Sequence, residues 1–137
     1  MTDRIFVDSN IWVYLFIEDD ETRSKKAKEY ITKSAQADCL VISYQVVNEV
    51  CRVLKKNEYT EPEIRSVADD MMELCEICGY SAEIIIFASE LRERYLFSYW
   101  DSLIVASALT SRCDVLASED MHEGLKIDNM VFVNVLK

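Results

Sequence analysis

The sequence predicts an α/β fold in which helices cover both faces of a central, mainly parallel sheet of four to five strands. Short apolar stretches with strand character alternate with helical patterns along the chain, which is typical of this class. The 137 residues, 50% hydrophobic and 29% charged, are enough to bury a core without disulfides or a structural metal. One proline and two glycines leave no linker, so we expect a single domain over residues 1–137.

The first half of the chain begins with a short buried strand that ends at Asp8. Ser43 is a plausible N-cap, and Thr60 begins a capping box with proline and glutamate in the first turn. Periodicity and caps together predict strands at 4–7 and 39–42, and helices at 11–16, 21–37, 43–56 and 60–79.

The second half continues the alternation of helices and strands. Ile84, Ile85 and Ile86 could locally form a strand, but the surrounding pattern favours a helix. We predict helices at 81–95 and 100–112, strands at 114–117 and 130–133, and a loop or short helix at 120–124.

Charge and cysteine content restrict the possible functions. The net charge of −10 argues against nucleic-acid binding that relies on broad phosphate neutralisation, unless bound cations present positive charge locally. The five cysteines are an odd number in mostly apolar surroundings, which favours reduced core thiols. We find no signal-peptide or transmembrane pattern and expect a cytoplasmic protein.

Two acids follow predicted strands. Asp8 ends the first strand and Asp120 follows the strand at 114–117, and sites in open α/β sheets lie beyond such carboxyl ends. Each has a structural alternative, because Asp8 or Ser9 could cap the next helix and Asp120 could be a cap or a solvated acid.

Two further acids lie on apolar helix faces. Glu49 is placed among valines at helical spacing, and a buried carboxylate needs a partner, either a metal or a salt bridge to Arg52 or Arg4. Asp101 begins a strongly apolar helix, although a capping box with Ser98 is an alternative explanation for it.

The four acids together point to chemistry, because a parallel sheet gathers such positions at one edge. Converging carboxylates repel one another unless cations share the site, and hard oxygen ligands select magnesium or manganese. Such ions support hydrolysis of phosphodiester bonds.

Four segments carry a resemblance to the PIN-domain family, and in particular to VapC-like toxin ribonucleases. The resemblance covers essentially the full length, and the first and third segments are the more specific. The segments are Phe6-Val7-Asp8-Ser9-Asn10, Asn48-Glu49-Val50, Tyr99-Trp100-Asp101-Ser102 with the helix after it, and Leu116-Ala117-Ser118-Glu119-Asp120-Met121.

The resemblance implies a PIN-like three-layer α/β/α sandwich and a metal-dependent endoribonuclease that leaves a 5′-phosphate and a 3′-hydroxyl. Asp8, Glu49, Asp101 and Asp120 would be catalytic and hold one or two Mg²⁺ or Mn²⁺ ions, with Ser9, Asn10 and Ser118 bracing them. It also implies an RNA substrate, a homodimer and an antitoxin partner that occludes the acids, plausibly by inserting an arginine.

Other residues are weaker candidates. Arg52, Lys55 and Lys56 follow Glu49 and could contact phosphate, although a solvated helix face explains each of them. Cys75 and Cys78 lack the second pair that a zinc site would need, and His122 fits a surface histidine. Trp12, Tyr14 and Phe16 could stack on bases, but a helix this apolar favours a core or dimer interface.

Three other classes of protein share part of this pattern. A phosphoacceptor receiver domain needs paired acids after its first strand and a lysine after its last strand, and both are missing from the sequence. A catalytically silent PIN-like module that binds RNA or protein would normally have lost an acid. A metal-dependent deoxyribonuclease remains open.

Overall fold

A computed structural model describes residues 2–137 and shows a six-stranded sheet within them, in the order β3-β2-β1-β4-β6-β5. Met1, which the predicted domain includes, lies outside the described residues. The strands are β1 (Arg4–Val7), β2 (Cys39–Ser43), β3 (Glu76–Cys78), β4 (Val115–Ala117), β5 (Lys126–Ile127) and β6 (Met130–Val133). The helices are α1 (Ser9–Phe16), α2 (Glu21–Ala37), α3 (Tyr44–Lys56), α4 (Glu61–Leu74), α5 (Ala82–Arg94) and α6 (Tyr99–Thr110).

The sheet is parallel except at one edge. β1 pairs with β2 and with β4, and β5 joins β6 in the antiparallel direction. Central strands covered on both faces should be continuously apolar, and Phe6, Val7 and Leu116 are completely buried. The predicted α/β class with a mainly parallel sheet is therefore confirmed.

The helices form two groups, one on each face. α1 packs against α2 and α3, and α3 packs against α4, whereas α5 packs against α6. The connections from β1 to β2 and from β2 to β3 run in one direction across the sheet, and the connection from β3 to β4 runs back. Because parallel crossovers are right-handed, the reversal places α5 and α6 on the opposite face from the first four helices.

Local capping explains where most helices begin. The Ser43 hydroxyl accepts a hydrogen bond from the Val46 amide, and Thr60 and Glu63 form the predicted reciprocal capping box. Ser81 and Ser98 cap α5 and α6 in the same way. These serines and threonines satisfy amides that would otherwise lack partners at the first turn.

The predicted helix at 60–79 is wrong at its carboxyl end. α4 stops at Leu74, Cys75 has extended backbone angles, and β3 follows and pairs with β2. β3 is three residues long and β5 two, so neither has enough residues for a period of two to be recognised. These two edge strands raise the count to six instead of four to five, and residues 120–124 form a loop without a helix.

Within residues 2–137, none of the helices combines the length and the apolar character needed to cross a membrane. All five cysteines are free thiols, and burial raises the pKa of Cys75 and Cys113 to about 12. A raised thiol pKa disfavours the reactive thiolate, so the two thiols are packing groups.

Candidate active site

The site lies where the strand order reverses. The chain leaves β1 toward β2 and β3 and returns on the other side of β1 as β4, so β1 and β4 flank the switch point. At their carboxyl ends the Asp8 amide donates a hydrogen bond of 3.0 Å to the Ala117 carbonyl. In open α/β sheets the crevice beyond this point is where ligands bind, and the two strands deliver Asp8 and Ser118 to it.

Asp8 is the most buried acid of the site, with 7% of its surface exposed. Its Oδ2 accepts a hydrogen bond of 2.8 Å from the Ser118 hydroxyl, and its Oδ1 accepts one of 2.8 Å from the Ser9 amide, so it also caps α1. Burial raises the pKa of Asp8 to about 6, and nearby Glu49 and Asp101 add to the rise. The two hydrogen bonds oppose the shift without cancelling it.

Glu49 lies on α3 and faces α1. Its Oε2 accepts a hydrogen bond of 2.6 Å from the Ser9 hydroxyl, and its Oε1 accepts one of 3.0 Å from the Gln45 amide one turn earlier. No salt bridge involves Glu49 in the described residues. Arg4 pairs instead with Glu76, at the amino ends of the strands. Neutral donors therefore hold this carboxylate, and the salt-bridge alternative is not found.

Asp101 lies in the first turn of α6. The Ser98 hydroxyl accepts a hydrogen bond of 3.1 Å from the Asp101 amide, so part of the capping alternative is present as well. Burial raises the pKa of Asp101, Glu49 and Asp120 raise it further, and Ser98 and His122 lower it. The charge of Asp101 is therefore influenced both by Glu49 on α3 and by Asp120 after β4.

Asn10 connects Asp120 to the start of α1. Its amide nitrogen donates to the Ser118 hydroxyl at 3.2 Å and to Asp120 Oδ2 at 3.1 Å, and its oxygen accepts from the Glu119 amide. Asp120 itself is exposed. Asn10 and Ser118 therefore form one network that orients both Asp8 and Asp120.

Glu119 has a different environment from its neighbour. Its carboxylate accepts a hydrogen bond of 2.9 Å from the Tyr14 hydroxyl and one of 2.7 Å from Arg23 Nε. Arg23 also pairs with Asp20. Glu119 is thus already compensated by a cation, unlike Asp8 and Glu49.

The donor chemistry fits a hard divalent cation. In residues 2–137 no three His, Cys, Asp or Glu side chains are arranged as a ready-made metal cage. The four acids nevertheless share one edge of the sheet, and the oxygens of Asp8 and Glu49 are held by hydroxyls and amides that leave their negative charge in place. Uncompensated carboxylate oxygens are the ligands that Mg²⁺ and Mn²⁺ prefer.

Two clefts open on either side of Glu49. One of about 520 Å³ is lined by α3, Tyr80 and Trp100, and one of about 300 Å³ is lined by α1, α3 and Glu119. Arg52 lines both clefts. Lys55 instead forms a salt bridge of 2.8 Å with Glu61, away from both clefts, so the structure does not bring this proposed phosphate contact into the site.

Sequence reasoning missed Gln45 and Tyr80. The Tyr80 hydroxyl donates to Gln45 Oε1 at 2.7 Å, and Gln45 in turn donates to Glu49. The spacing of four residues between Gln45 and Glu49 on one helix was the available signal. Tyr80 lies in the loop after β3, and β3 is not among the predicted strands.

The remaining candidate residues from the sequence lie outside the acid cluster or in the core. Trp12 is buried and donates to the Val7 carbonyl, which excludes it from base stacking. His122 is exposed, packs edge-on against Phe97 and affects the pKa of Asp101 only through its charge. Cys78 contacts the Ser107 carbonyl between the sheet and α6.

Comparison with known proteins identifies the family. The PIN domain family model matches residues 5–123. No curated protein sequence matched the chain.

Solved structures with the same fold come from several toxin–antitoxin systems. A toxin–antitoxin complex from Klebsiella pneumoniae is 24% identical with a TM-score of 0.70, covering 93% of this chain and 95% of that one. VapBC-1 from nontypeable Haemophilus influenzae is 20% identical with a TM-score of 0.70, covering 98% and 99%. VapC20 of Mycobacterium tuberculosis, a toxin that cleaves the sarcin–ricin loop, is 18% identical with a TM-score of 0.65, covering 82% and 86%. With its sheet order, its acids at the switch point and the match over most of its length, the chain belongs to the PIN-domain family.

Proposed function

We propose that residues 1–137 form a single PIN domain that acts as a metal-dependent endoribonuclease, the toxin of a toxin–antitoxin pair. The observation that carries the proposal is the environment of the Asp8 carboxylate. It is buried at the switch point, next to Glu49 and Asp101, and no cation among the described residues compensates it. An isolated buried carboxylate costs several kcal/mol, so its retention here is best explained by a bound cation.

Four of the acids share one role in this proposal. Asp8, Glu49, Asp101 and Asp120 would hold one or two Mg²⁺ or Mn²⁺ ions. When bound, the cation supplies Lewis-acid stabilisation of the negative charge that develops on the scissile phosphate. Glu119 stays paired with Arg23 and takes no part.

Neighbouring side chains keep the acids in position. Ser118 and Ser9 orient the two oxygens of Asp8, Gln45 orients Glu49, and Asn10 orients Asp120. Arg52, which lines both clefts beside Glu49, would contact a phosphate of the substrate.

The choice of RNA, of a toxin role and of the partners is supported by the structural relatives. VapC20 cleaves the sarcin–ricin loop, and several of the similar structures are toxin–antitoxin complexes. We accordingly propose an RNA substrate and an antitoxin that covers the acids. We also propose a homodimer, which the sequence resemblance implies, and action in the cytoplasm, which we expect from the sequence.

Cleavage of a structured RNA pool by the purified protein tests the proposal. The reaction is run with MnCl₂ and with EDTA, on wild type and on Asp8→Asn and Asp101→Asn, and matched DNA is included as an alternative substrate. We expect RNA cleavage that requires the metal and disappears in both variants. Cleavage of DNA instead of RNA would change the proposed substrate from RNA to DNA. If folded wild type cleaved neither polymer, the proposed nuclease function would be rejected.

A further inference from the structure

We propose that the cleft beside Glu49 is a stacking site for an unpaired RNA base next to the scissile phosphate, with Trp100 and Tyr80 as its aromatic walls. The proposal rests on the proposed ribonuclease function and names how that site would hold its substrate. The cleft measures about 520 Å³, and it is lined by Gln45, Asn48, Glu49, Arg52, Tyr80 and Trp100.

Both aromatic side chains are exposed, although large aromatic side chains are usually buried in the core. Trp100 has 61% of its surface exposed and Tyr80 has 49%. The other tryptophan, Trp12, is only 2% exposed and fills the core. Exposed aromatic rings that line a cleft beside an acidic cluster are a means of holding bases, because every base has a face that can stack.

Trp100 is held from below by a packed series of side chains. Its ring meets Tyr99 edge to face, with centroids 5.2 Å apart, and the Arg92 guanidinium lies 4.6 Å from the Tyr99 ring centre. Arg92 is fixed in turn by a hydrogen bond of 2.7 Å to the Ser102 hydroxyl. A wall whose support is already ordered loses little conformational entropy when a base binds.

The aromatic walls are coupled to the acid site through Gln45. Its amide nitrogen donates to Glu49 at 3.0 Å and to the Trp100 carbonyl at 3.4 Å, while its oxygen accepts from Tyr80. A base in the cleft would therefore lie beside the carboxylates that act on the phosphate. The side-chain amide of Asn48 is exposed, makes no hydrogen bond to other residues in 2–137, and is free to meet the edge of that base.

Stacking also resolves the conflict between a net charge of −10 and an RNA substrate. A protein this acidic gains little from counterion release along a phosphate backbone. Binding through base faces does not depend on that release, and Arg52 is left to position one phosphate. The affinity for single-stranded RNA should therefore depend only weakly on salt.

Tryptophan fluorescence tests the stacking site without requiring cleavage. The catalytically disabled Asp8→Asn protein is titrated with a random-sequence single-stranded RNA hexamer, and separately with an abasic ribose-phosphate hexamer of the same length. Anisotropy of labelled oligomers gives the affinity independently. We expect the RNA, and not the abasic oligomer, to quench emission.

Substitutions assign the signal to one ring. Adding Trp100→Phe should remove the quenching and keep the affinity within about threefold, since phenylalanine still stacks. Adding Trp100→Ala should weaken RNA binding roughly tenfold. Leu96→Ala, which removes an exposed apolar side chain outside the cleft, is the matched control and should change neither value.

Three results would overturn the stacking site. They are equal binding of the RNA and abasic oligomers, RNA binding that Trp100→Ala leaves unchanged, and loss of self-association in Trp100→Ala without base-dependent quenching, which would make this a protein–protein surface. Each is separable from the proposed function, because RNA cleavage by wild type can persist without the stacking site. Base-dependent quenching can equally persist when wild type does not cleave.

Discussion

Acidic side chains have opposite environments at the two ends of the parallel strands. We call the side of the sheet where these strands begin the amino edge, and the side where they end the carboxyl edge. At the amino edge, the Arg4 side chain pairs with Glu76, and the Arg4 backbone amide donates a hydrogen bond of 2.8 Å to Asp114 Oδ2. At the carboxyl edge, Asp8 and Glu49 accept hydrogen bonds only from neutral groups among the described residues. The amino edge therefore pairs its acids with Arg4, whereas the carboxyl edge leaves Asp8 and Glu49 without a cation partner and compensates only Glu119, through Arg23.

The largest expected effect comes from one conservative change made at each edge. Glu49→Gln keeps a side chain of the same shape but removes a charge that would hold the cation. We therefore expect kcat/KM to fall roughly a thousandfold, which corresponds to a rise of about 4 kcal/mol in the activation free energy. Glu76→Gln at the amino edge should leave kcat/KM within about twofold. Steady-state cleavage assays decide the matter, and equal losses in both variants would abolish the distinction between the edges.

The pH dependence of stability should carry the signature of Asp8. Its pKa is about 6 in the folded protein against an ordinary 3.8, so the folded state binds this proton more tightly than the unfolded state does. The resulting stabilisation is complete below the unfolded pKa and is lost as pH rises through the folded pKa. Relative to Asp8→Asn, metal-free wild type should lose about 2.4 kcal/mol between pH values of about 4 and 7.

Urea unfolding of both proteins in EDTA measures this difference. Comparing the two removes the contribution of the other titrating groups, including Asp101, whose pKa is also raised. If the unfolding free energies of wild type and Asp8→Asn differed by the same amount across this pH range, burial would not raise the pKa of Asp8.

Two buried serines provide a smaller contrast. Ser118→Ala removes the hydroxyl that orients Asp8 Oδ2, and loss of such a supporting contact should lower kcat about 10- to 100-fold. Ser24 is also buried, but its hydroxyl finds no hydrogen-bond partner within residues 2–137. Ser24→Ala should leave cleavage unchanged and the melting temperature equal or higher, because it removes an unsatisfied polar group. A loss of cleavage common to both serine variants would point to general destabilisation.

The smallest effect separates the two basic residues on α3. Arg52→Ala should raise KM several-fold, on the order of 1 kcal/mol, because Arg52 lines both clefts. Lys55→Ala should leave KM unchanged, because Lys55 forms its salt bridge with Glu61. Substrate titrations with both variants test this assignment, and it fails if the lysine variant shows the larger change in KM.

The sequence predicted the carboxyl edge better than the rest of the molecule, for physical reasons. Asp8 follows an apolar strand and Glu49 interrupts a valine stripe, so each can be recognised from its immediate neighbours. β3 and Tyr80 cannot, because a strand of three residues depends on pairing with β2 that no local pattern encodes. The salt bridge of Lys55 with Glu61 likewise depends on how α3 and α4 pack.

The compensation of Glu119 could not be read from the sequence either. Asp120 and Glu119 are adjacent, yet only Glu119 meets Arg23, which lies on another element distant in the chain. Sequence position therefore identifies which acids lie near the site. Three-dimensional packing decides which of them remain without a cation partner.

Thermal unfolding with and without manganese tests the central claim most directly. Wild type, Asp8→Asn and Glu76→Gln are melted in buffer near pH 7.5 with EDTA or with excess MnCl₂. We expect Mn²⁺ to raise the Tm of wild type and of Glu76→Gln by several degrees and to leave Asp8→Asn unchanged, since a cation bound to the folded state stabilises it. An identical response of all three proteins to Mn²⁺, or no response in any, would contradict the claim that the carboxyl edge keeps its acids free to bind a cation.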